Sequence, residues 1–354
     1  MQNLGLKAIY NQVNLLLKIT PVTPFLIKSG ETLDPTKPDM EFIRLKTSFV
    51  PQGVVYIPGS SIKGVIRSCA ERILRTSNLD VCNIVEEKIE EEDKSCSAFY
   101  RQYINVIKEK RERQNYLESI TLRPLKKYLS SIVNIPEPPE KLFYSGHCYA
   151  CRTFGSTNIA SRVFFTDIFP WGFGISEQEK KKIATEIENK YIQIRPGVSI
   201  DRRKGSVKHG PFELEIITGG NFYGEVLIKN YQLWQLSLLF LAFSEIDEGF
   251  QKIGYGKTRG LGKVNLKVEE LKIEQFGMLK NDSKIRGIGY IKDLIKKYDL
   301  LEEDEILLDG IKSEPLTFSS QFILKEEKVI TKFKEEALKI FSKLVEEKGK
   351  EDER

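Results

Sequence analysis

Four groups of residues in this sequence have types and spacing suited to chemistry. The first is PGSSIKGVIRS, residues 58–68. A Pro-Gly turn, Ser60 and Ser61 there precede a helical pattern carrying Lys63 and Arg67. The first N–H groups of a helix have no partner within it, so a hydroxyl-rich start is either a cap or an anion site. The second, GYGKTRGLGKV (254–264), sets Lys257, Arg259 and Lys263 among glycines that include Gly256 and Gly260. Glycines let a backbone approach a ligand closely. The segment lacks G-x-x-x-x-G-K-[ST] and leads into a strand, which excludes a P-loop or a Rossmann loop. A loop tracking an RNA backbone, or a tight structural corner, remains. The third, RPGVSIDRRKGSVKHG (195–210), carries Arg195, Arg202, Arg203, Lys204 and Lys208 against the single acid Asp201. It reads as a solvated protrusion, or as a finger that touches nucleic acid by charge.

The fourth group is thiols and acids. CYAC (148–151) is a CxxC pair, and thiolates at that spacing suit tetrahedral Zn²⁺. The ligand set expected is Cys69, Cys82, Cys148 and Cys151, with Cys96 or His147 in reserve for one of them. Unrelated buried thiols are the alternative. Only two histidines are present, His147 and His209, which argues against a His–His ribonuclease, and neither G-x-S-x-G nor H-E-x-x-H occurs. Asp34 and Asp39 remain, in the loop 29–47 beside Arg44 and Lys46. An aspartate there can hold Mg²⁺ or orient a sugar hydroxyl, or be a solvated turn residue.

The elements that must position these groups can be read from periodicity. VNLLLKIT (13–20) alternates as a strand with Leu15, Leu17 and Ile19 on one side. Residues 61–77 form a helix with Ile62, Val65, Ile66, Cys69 and Ile73 on one face and Lys63 and Arg67 on a neighbouring one. Residues 78–150 read as an insertion, with the acidic run 86–93 and a charged helical stretch near 99–130. A strand at 161–168 and a polar helix at 176–190 follow. Two strands, 212–218 and 222–229, are expected to pair as a hairpin across Gly219-Gly220. A buried helix covers 231–246, and the remainder, 270–354, reads as mostly helical. Strand–helix–strand followed by hairpin–helix–strand gives an α+β, ferredoxin-like fold with an antiparallel sheet and helices on one face.

The chain has 354 residues, 40% hydrophobic and 30% charged, with a net charge of +5. So mild an excess requires any nucleic-acid surface to be a local patch. The longest apolar run, LWQLSLLFLAF (233–243), is broken by Gln235 and Ser237 and falls short of the ~18 residues of a membrane span. The N-terminus does not read as a signal peptide, so a cytoplasmic location is expected.

Together, YIPGSSIKGVIRS (56–68), CRTFGS (151–156) with SRVFFTD (161–167), GVSIDRRKG (197–205) leading into FELEIITGGNFYGEV, and GYGKTRGLGKV resemble the RAMP superfamily of CRISPR-associated proteins, more narrowly the backbone subunits of type III effector complexes. The resemblance covers about residues 10–270, leaving 271–354 as an extension. It implies an RNA-recognition-like palm with a protruding thumb at 195–212 and a zinc-bearing lid within 78–150. It implies guide-RNA contacts by Ser60, Ser61, Lys63 and Arg67, and by Gly256, Lys257, Arg259 and Gly260. The partners implied are CRISPR RNA, target RNA, other RAMP subunits and a large polymerase-like subunit. Catalytic members cut target RNA with a loop aspartate and Mg²⁺ or Mn²⁺. DMEFIR makes Asp39 the choice and Asp34 the reserve. A non-catalytic guide-binding scaffold and a stand-alone repeat-processing endoribonuclease are the alternatives.

Overall fold

The computed structural model describes residues 8–30, 37–82, 96, 144–200, 203, 206–277, 283–298 and 300–352. The expected helical stretch at 99–130, the acidic run, Asp34, Arg202 and Lys204 lie outside them. Lys208 enters only as a backbone position.

The chain begins with strand β1 (Asn11–Pro21), whose burial alternates strictly, with Val13, Leu15, Leu17 and Ile19 facing inward. A looped segment carrying the short strands β2 (Arg44–Leu45) and β3 (Val54–Val55) leads to helix α1 (Gly59–Thr76). The apolar stripe of α1 buries Ile62, Ile66, Cys69, Ala70 and Leu74. Next come α2 (Tyr149–Phe154), β4 (Val163–Phe165), α3 (Glu177–Tyr191), β5 (Ile192–Ile200), β6 (Val207–Ile217) and β7 (Phe222–Lys229). Ser176 starts α3 with a full capping box to Glu179. Helix α4 (Leu233–Asp247) is predominantly apolar and buried along most of its length, as its sequence requires, and strand β8 (Val264–Phe276) follows.

The main sheet has the order β11-β12-β8-β1-β7-β4, where β11 (Glu314–Pro315) and β12 (Ser319–Leu324) come from the extension. Every pairing in it is antiparallel. Its core order β8-β1-β7-β4 is the fourth, first, third and second strand of a β-α-β-β-α-β unit, the ferredoxin-like arrangement expected. Helices α1 and α4 pack together over this sheet.

The structure corrects two expectations. No hairpin forms across Gly219-Gly220: β7 pairs with β1 and β4, while β6 pairs with β5. The two glycines instead let the chain pass α3, where added Cβ atoms would meet the Tyr191 ring at 2.5 Å and Ile187 at 2.4 Å. The hairpin is β5–β6, and it contains the segment expected to protrude. The extension is also less helical and less separate than its Lys/Glu composition implies. Strand β8 crosses position 270, and β12 joins the main sheet. After β9 (Lys284–Arg286), α5 (Lys292–Tyr298) and β10 (Glu305–Leu307), helix α6 (Glu327–Asp352) packs on α4. Its Phe333 and Ala337 belong to the same core as Leu15 and Ile66.

Buried Asp304 ties this extension to α4. Its carboxylate accepts the Leu233 N–H at 2.8 Å and the Gly289 N–H at 3.0 Å. Burial lifts its carboxyl to about 7, against those hydrogen bonds. Among the described residues, no helix is long and apolar enough to cross a membrane.

Candidate functional site

Two of the sequence segments meet at one groove of about 370 Å³. Its walls are Ser61, Ile62 and Val65 from the start of α1, Ile253, Gly254, Tyr255 and Lys257 from the glycine-rich loop, and Ile27 and Lys28 from the strand-like run after β1. The glycine loop is built against that run. Tyr255 N–H donates to the Leu26 carbonyl at 2.7 Å and Gly262 N–H to the Pro24 carbonyl at 2.9 Å. Gly262 has φ +88°, and a Cβ there would stand 2.1 Å from the Ile253 carbonyl oxygen, so the corner requires glycine. Gly256 and Gly260 flank the single 3₁₀ turn Lys257–Arg259 with left-handed φ, and Arg259 is exposed. The loop therefore presents Lys257 and Arg259 from a fixed backbone.

The capping expectation for α1 fails. The N-cap is Pro58, and neither Ser60 nor Ser61 bonds the helix start. The Gly59 N–H goes to the Asp167 carboxylate at 2.8 Å, while Ser61 and Ile62 N–H groups donate to the Pro58 carbonyl. Gly59 is needed for this crossing, since a Cβ there would meet the Phe165 carbonyl oxygen at 2.6 Å. These amides are thus spent within the protein, and the exposed hydroxyls of Ser60 and Ser61 face outward. With these three amides engaged, attraction for an anion falls mainly to side chains.

Lys63 and Arg67 lie off the groove. Lys63 Nζ donates to Ser161 Oγ at 2.9 Å, and burial, then the neighbouring Arg67 charge, pushes its ammonium below the ordinary lysine range. Arg67 has all three guanidinium nitrogens engaged. Nε donates to Glu71 at 2.9 Å, Nη1 to the Gly155 carbonyl at 3.1 Å and Nη2 to Cys151 Sγ at 3.4 Å.

The buried thiols form a cluster of Cys82, Cys96, Cys148 and Cys151, with all four sulfurs within 4.8 Å of one another. Cys82 lies 3.6 Å from Cys151 and 3.7 Å from Cys148, sulfur to sulfur. Four thiolates at about 2.3 Å from a tetrahedral zinc stand about 3.8 Å apart, so the spacing fits an ion of that kind. Backbone N–H groups of Cys148 and Cys151 donate to the sulfurs of Cys96 (3.2 Å) and Cys148 (3.4 Å), which favours thiolate. Mutual hydrogen bonding divides the cluster: Cys151, then Cys82 and Cys96, hold the Cys148 thiol below the ordinary range, while Cys148 holds the Cys96 and Cys151 thiols above it. The donor set could bind a metal such as zinc. Cys96 replaces Cys69 in the expected set, and His147, also buried, is not a member. Cys69 belongs to the apolar stripe of α1, where Arg72 donates to its sulfur at 3.7 Å.

Asp39 is exposed and lies beside the middle of the β5–β6 hairpin, where Glu213 pairs with Pro196, with its Oδ2 accepting the Glu213 N–H at 2.8 Å. The loop is zipped to β6 there, since Glu215 N–H donates to the Met40 carbonyl and Met40 N–H to the Glu213 carbonyl. Arg44, expected beside the aspartates, instead makes a two-pronged pair with Glu215 at 2.6 and 2.7 Å and reaches Glu188 of α3 at 3.0 Å. Hydrogen bonding to Glu215 raises the Arg44 pKa against the effect of burial. Lys28 and Asp39 share one ribbon, because Lys28 bridges Phe42 and Ile43 N–H donates to the Ile27 carbonyl. Arg203 stands exposed at the hairpin tip.

The sequence profile of the RAMP superfamily matches residues 18–265. The chain belongs to the RAMP superfamily. No curated protein matches it. The RAMP match spans β1 to the start of β8 and so contains the groove, the cysteine cluster and the hairpin. The family is CRISPR-associated and RNA-binding, with CRISPR RNA and Cas complexes as its general partners. Sequence reasoning missed Lys28, Ser161 and Asp167. Asp167 stands two residues after the strand Val163–Phe165, in SRVFFTD, which is a signal for a loop carboxylate but not for its target on α1.

Proposed function

We propose that this RAMP chain is a backbone subunit of a type III effector complex. In this reading it grips CRISPR RNA and cuts the target RNA paired to that guide. The observation that carries the reading is the groove joining Lys28, Ser61 and Lys257 from three separate segments. A cationic, hydroxyl-bearing channel with apolar walls suits a sugar-phosphate backbone better than a small anion. The β5–β6 hairpin is the thumb that splays the target, and Asp39 against its middle acts on the exposed nucleotide. Attack of a 2′-OH on its adjacent phosphate requires in-line geometry and charge neutralisation. Asp39 with RNA phosphate oxygens would hold Mg²⁺ or Mn²⁺, which supplies that neutralisation. Neighbouring RAMP subunits and a polymerase-like subunit are the proposed partners. Zinc on the four cysteines is the proposed structural ion.

The test is Asp39→Ala in the assembled complex. The reading expects unchanged guide and target binding with cutting lost at this subunit's position. Retained cutting there rejects Asp39. A scaffold that binds guide without cutting is the second reading. It is favoured by the use of one Asp39 oxygen in anchoring the loop to Glu213. Under it, the wild-type complex leaves target RNA intact at this position in Mg²⁺ or Mn²⁺.

A further inference from the structure

Arg67 is the basic residue of α1 whose surroundings least resemble a phosphate contact. Its three nitrogens meet a carboxylate, a carbonyl and a sulfur of the cysteine cluster. Glu71, its partner, lies 3.9 Å from Arg75, which in turn donates to the Cys82 carbonyl at 3.3 Å. One flank of α1 thus grips both halves of the cluster, at Cys82 and at Cys151. A divalent ion with four thiolates leaves two net negative charges in a buried site, and a guanidinium on one sulfur is the compensating partner.

The same flank reaches the basic corner of α1. Gly155, whose carbonyl holds Arg67, follows α2 directly and has φ +86°. A Cβ on it would lie 2.7 Å from the Ser161 nitrogen, so residues 155–161 form a tight loop. Ser161 at the end of that loop accepts from the Lys63 ammonium, and its own hydroxyl donates to the Val163 carbonyl at 2.7 Å. Cys151, Arg67, Gly155, Ser161 and Lys63 are one connected set, which ends off the groove at Lys63 and meets it through the adjoining α1 residues Ser61 and Ile62.

We infer that Arg67 is a positioning residue of the cysteine metal centre, not an RNA contact, and that through it and the 155–161 loop metal occupancy sets the RNA affinity of the α1 groove. The inference rests on the zinc and RNA readings above and assigns a regulatory link between them.

The test uses the full chain, zinc, a chromophoric chelator and a single-stranded RNA oligonucleotide. Arg67→Gln should weaken zinc affinity by about 10–100-fold, the usual cost of losing an outer-shell partner. At saturating zinc it should leave RNA affinity within about threefold and the salt slope of binding unchanged, as a residue that contacts no phosphate must. Arg67→Lys, which keeps the charge but not the fork, should fall between on zinc affinity. Stripping zinc from the wild type should weaken RNA binding at least about fivefold, with zinc restoring it. Lys63→Gln should leave zinc affinity unchanged. Zinc affinity unchanged in Arg67→Gln overturns the inference while leaving both readings intact. So does RNA binding lost at saturating zinc with a shallower salt slope, or RNA affinity insensitive to chelation. A wild type that takes up no zinc rejects the metal reading and the inference with it; one that binds no RNA rejects the RNA reading and the link.

Discussion

Substituting two cysteines separately gives opposite outcomes. Cys69 and Cys96 are both fully buried and both free thiols. Only Cys96 lies within the four-sulfur cluster, where its sulfur also accepts the Cys148 N–H. Structural zinc binds with an apparent 10–16 kcal/mol, so one thiolate of four carries about 3 kcal/mol. Cys96→Ser should therefore weaken zinc by about two orders of magnitude and lower the melting temperature in a zinc-dependent way. Cys69→Ser should leave one zinc per chain at wild-type affinity. Its cost, about 1–2 kcal/mol, comes from burying a hydroxyl in the α1 stripe and is the same with or without metal. Competition against a chromophoric chelator measures the affinities, and calorimetry with and without zinc measures the stabilities. Full zinc retention in Cys96→Ser, or its loss in Cys69→Ser, would refute the assignment of ligands.

Other outcomes follow from the same geometry. Arg44→Ala should destabilise the chain by about 2–3 kcal/mol in denaturant titration, because Glu215 keeps only 10% side-chain exposure and loses its two-pronged partner; a change below about 0.5 kcal/mol would contradict the pairing. Gly262→Ala should cost several kcal/mol and weaken RNA binding, whereas Gly260→Ala, with positive φ but open space around it, should cost only about 1 kcal/mol. Stability should also fall with rising pH. The carboxyl of Asp304 titrates at about 7 in the folded chain against 3.8 unfolded, so the folded state retains a proton that the unfolded state has released. That contribution is complete below about 4 and is lost as pH rises through about 7. Melting temperatures from pH 5 to 8 should show it, and Asp304→Asn should flatten the slope; a slope that survives in Asp304→Asn assigns it elsewhere.

The central fold was legible because its signals are local. The alternation of β1, the stripe of α1 and the long apolar run of α4 each specify a face that the core must bury. The place of Cys69 is readable too, since it falls on the same face as Ile62 and Ile66, and a thiol on that apolar stripe faces the core, away from the cluster. What lay beyond the sequence was pairing between distant segments. The β6 and β7 strands are neighbours in sequence, joined by Thr218, Gly219, Gly220 and Asn221, yet each pairs with a strand elsewhere. Asp167 caps α1 from 108 residues away, a relation with no trace in spacing. The Lys/Glu-rich extension hides β12 because that strand is short, with only Phe322, Ile323 and Leu324 apolar, and its partner β8 is a distant segment.

The most direct measurement is the salt dependence of single-stranded RNA affinity for the wild type and for Lys28→Gln with Lys257→Gln. If these two groove cations meet phosphates, the double variant loses at least about tenfold in affinity near 0.1 M salt. The slope of log affinity against log salt then falls by about 1.4, at roughly 0.7 per contact. Affinity and slope both equal to those of the wild type would contradict an RNA backbone in this groove.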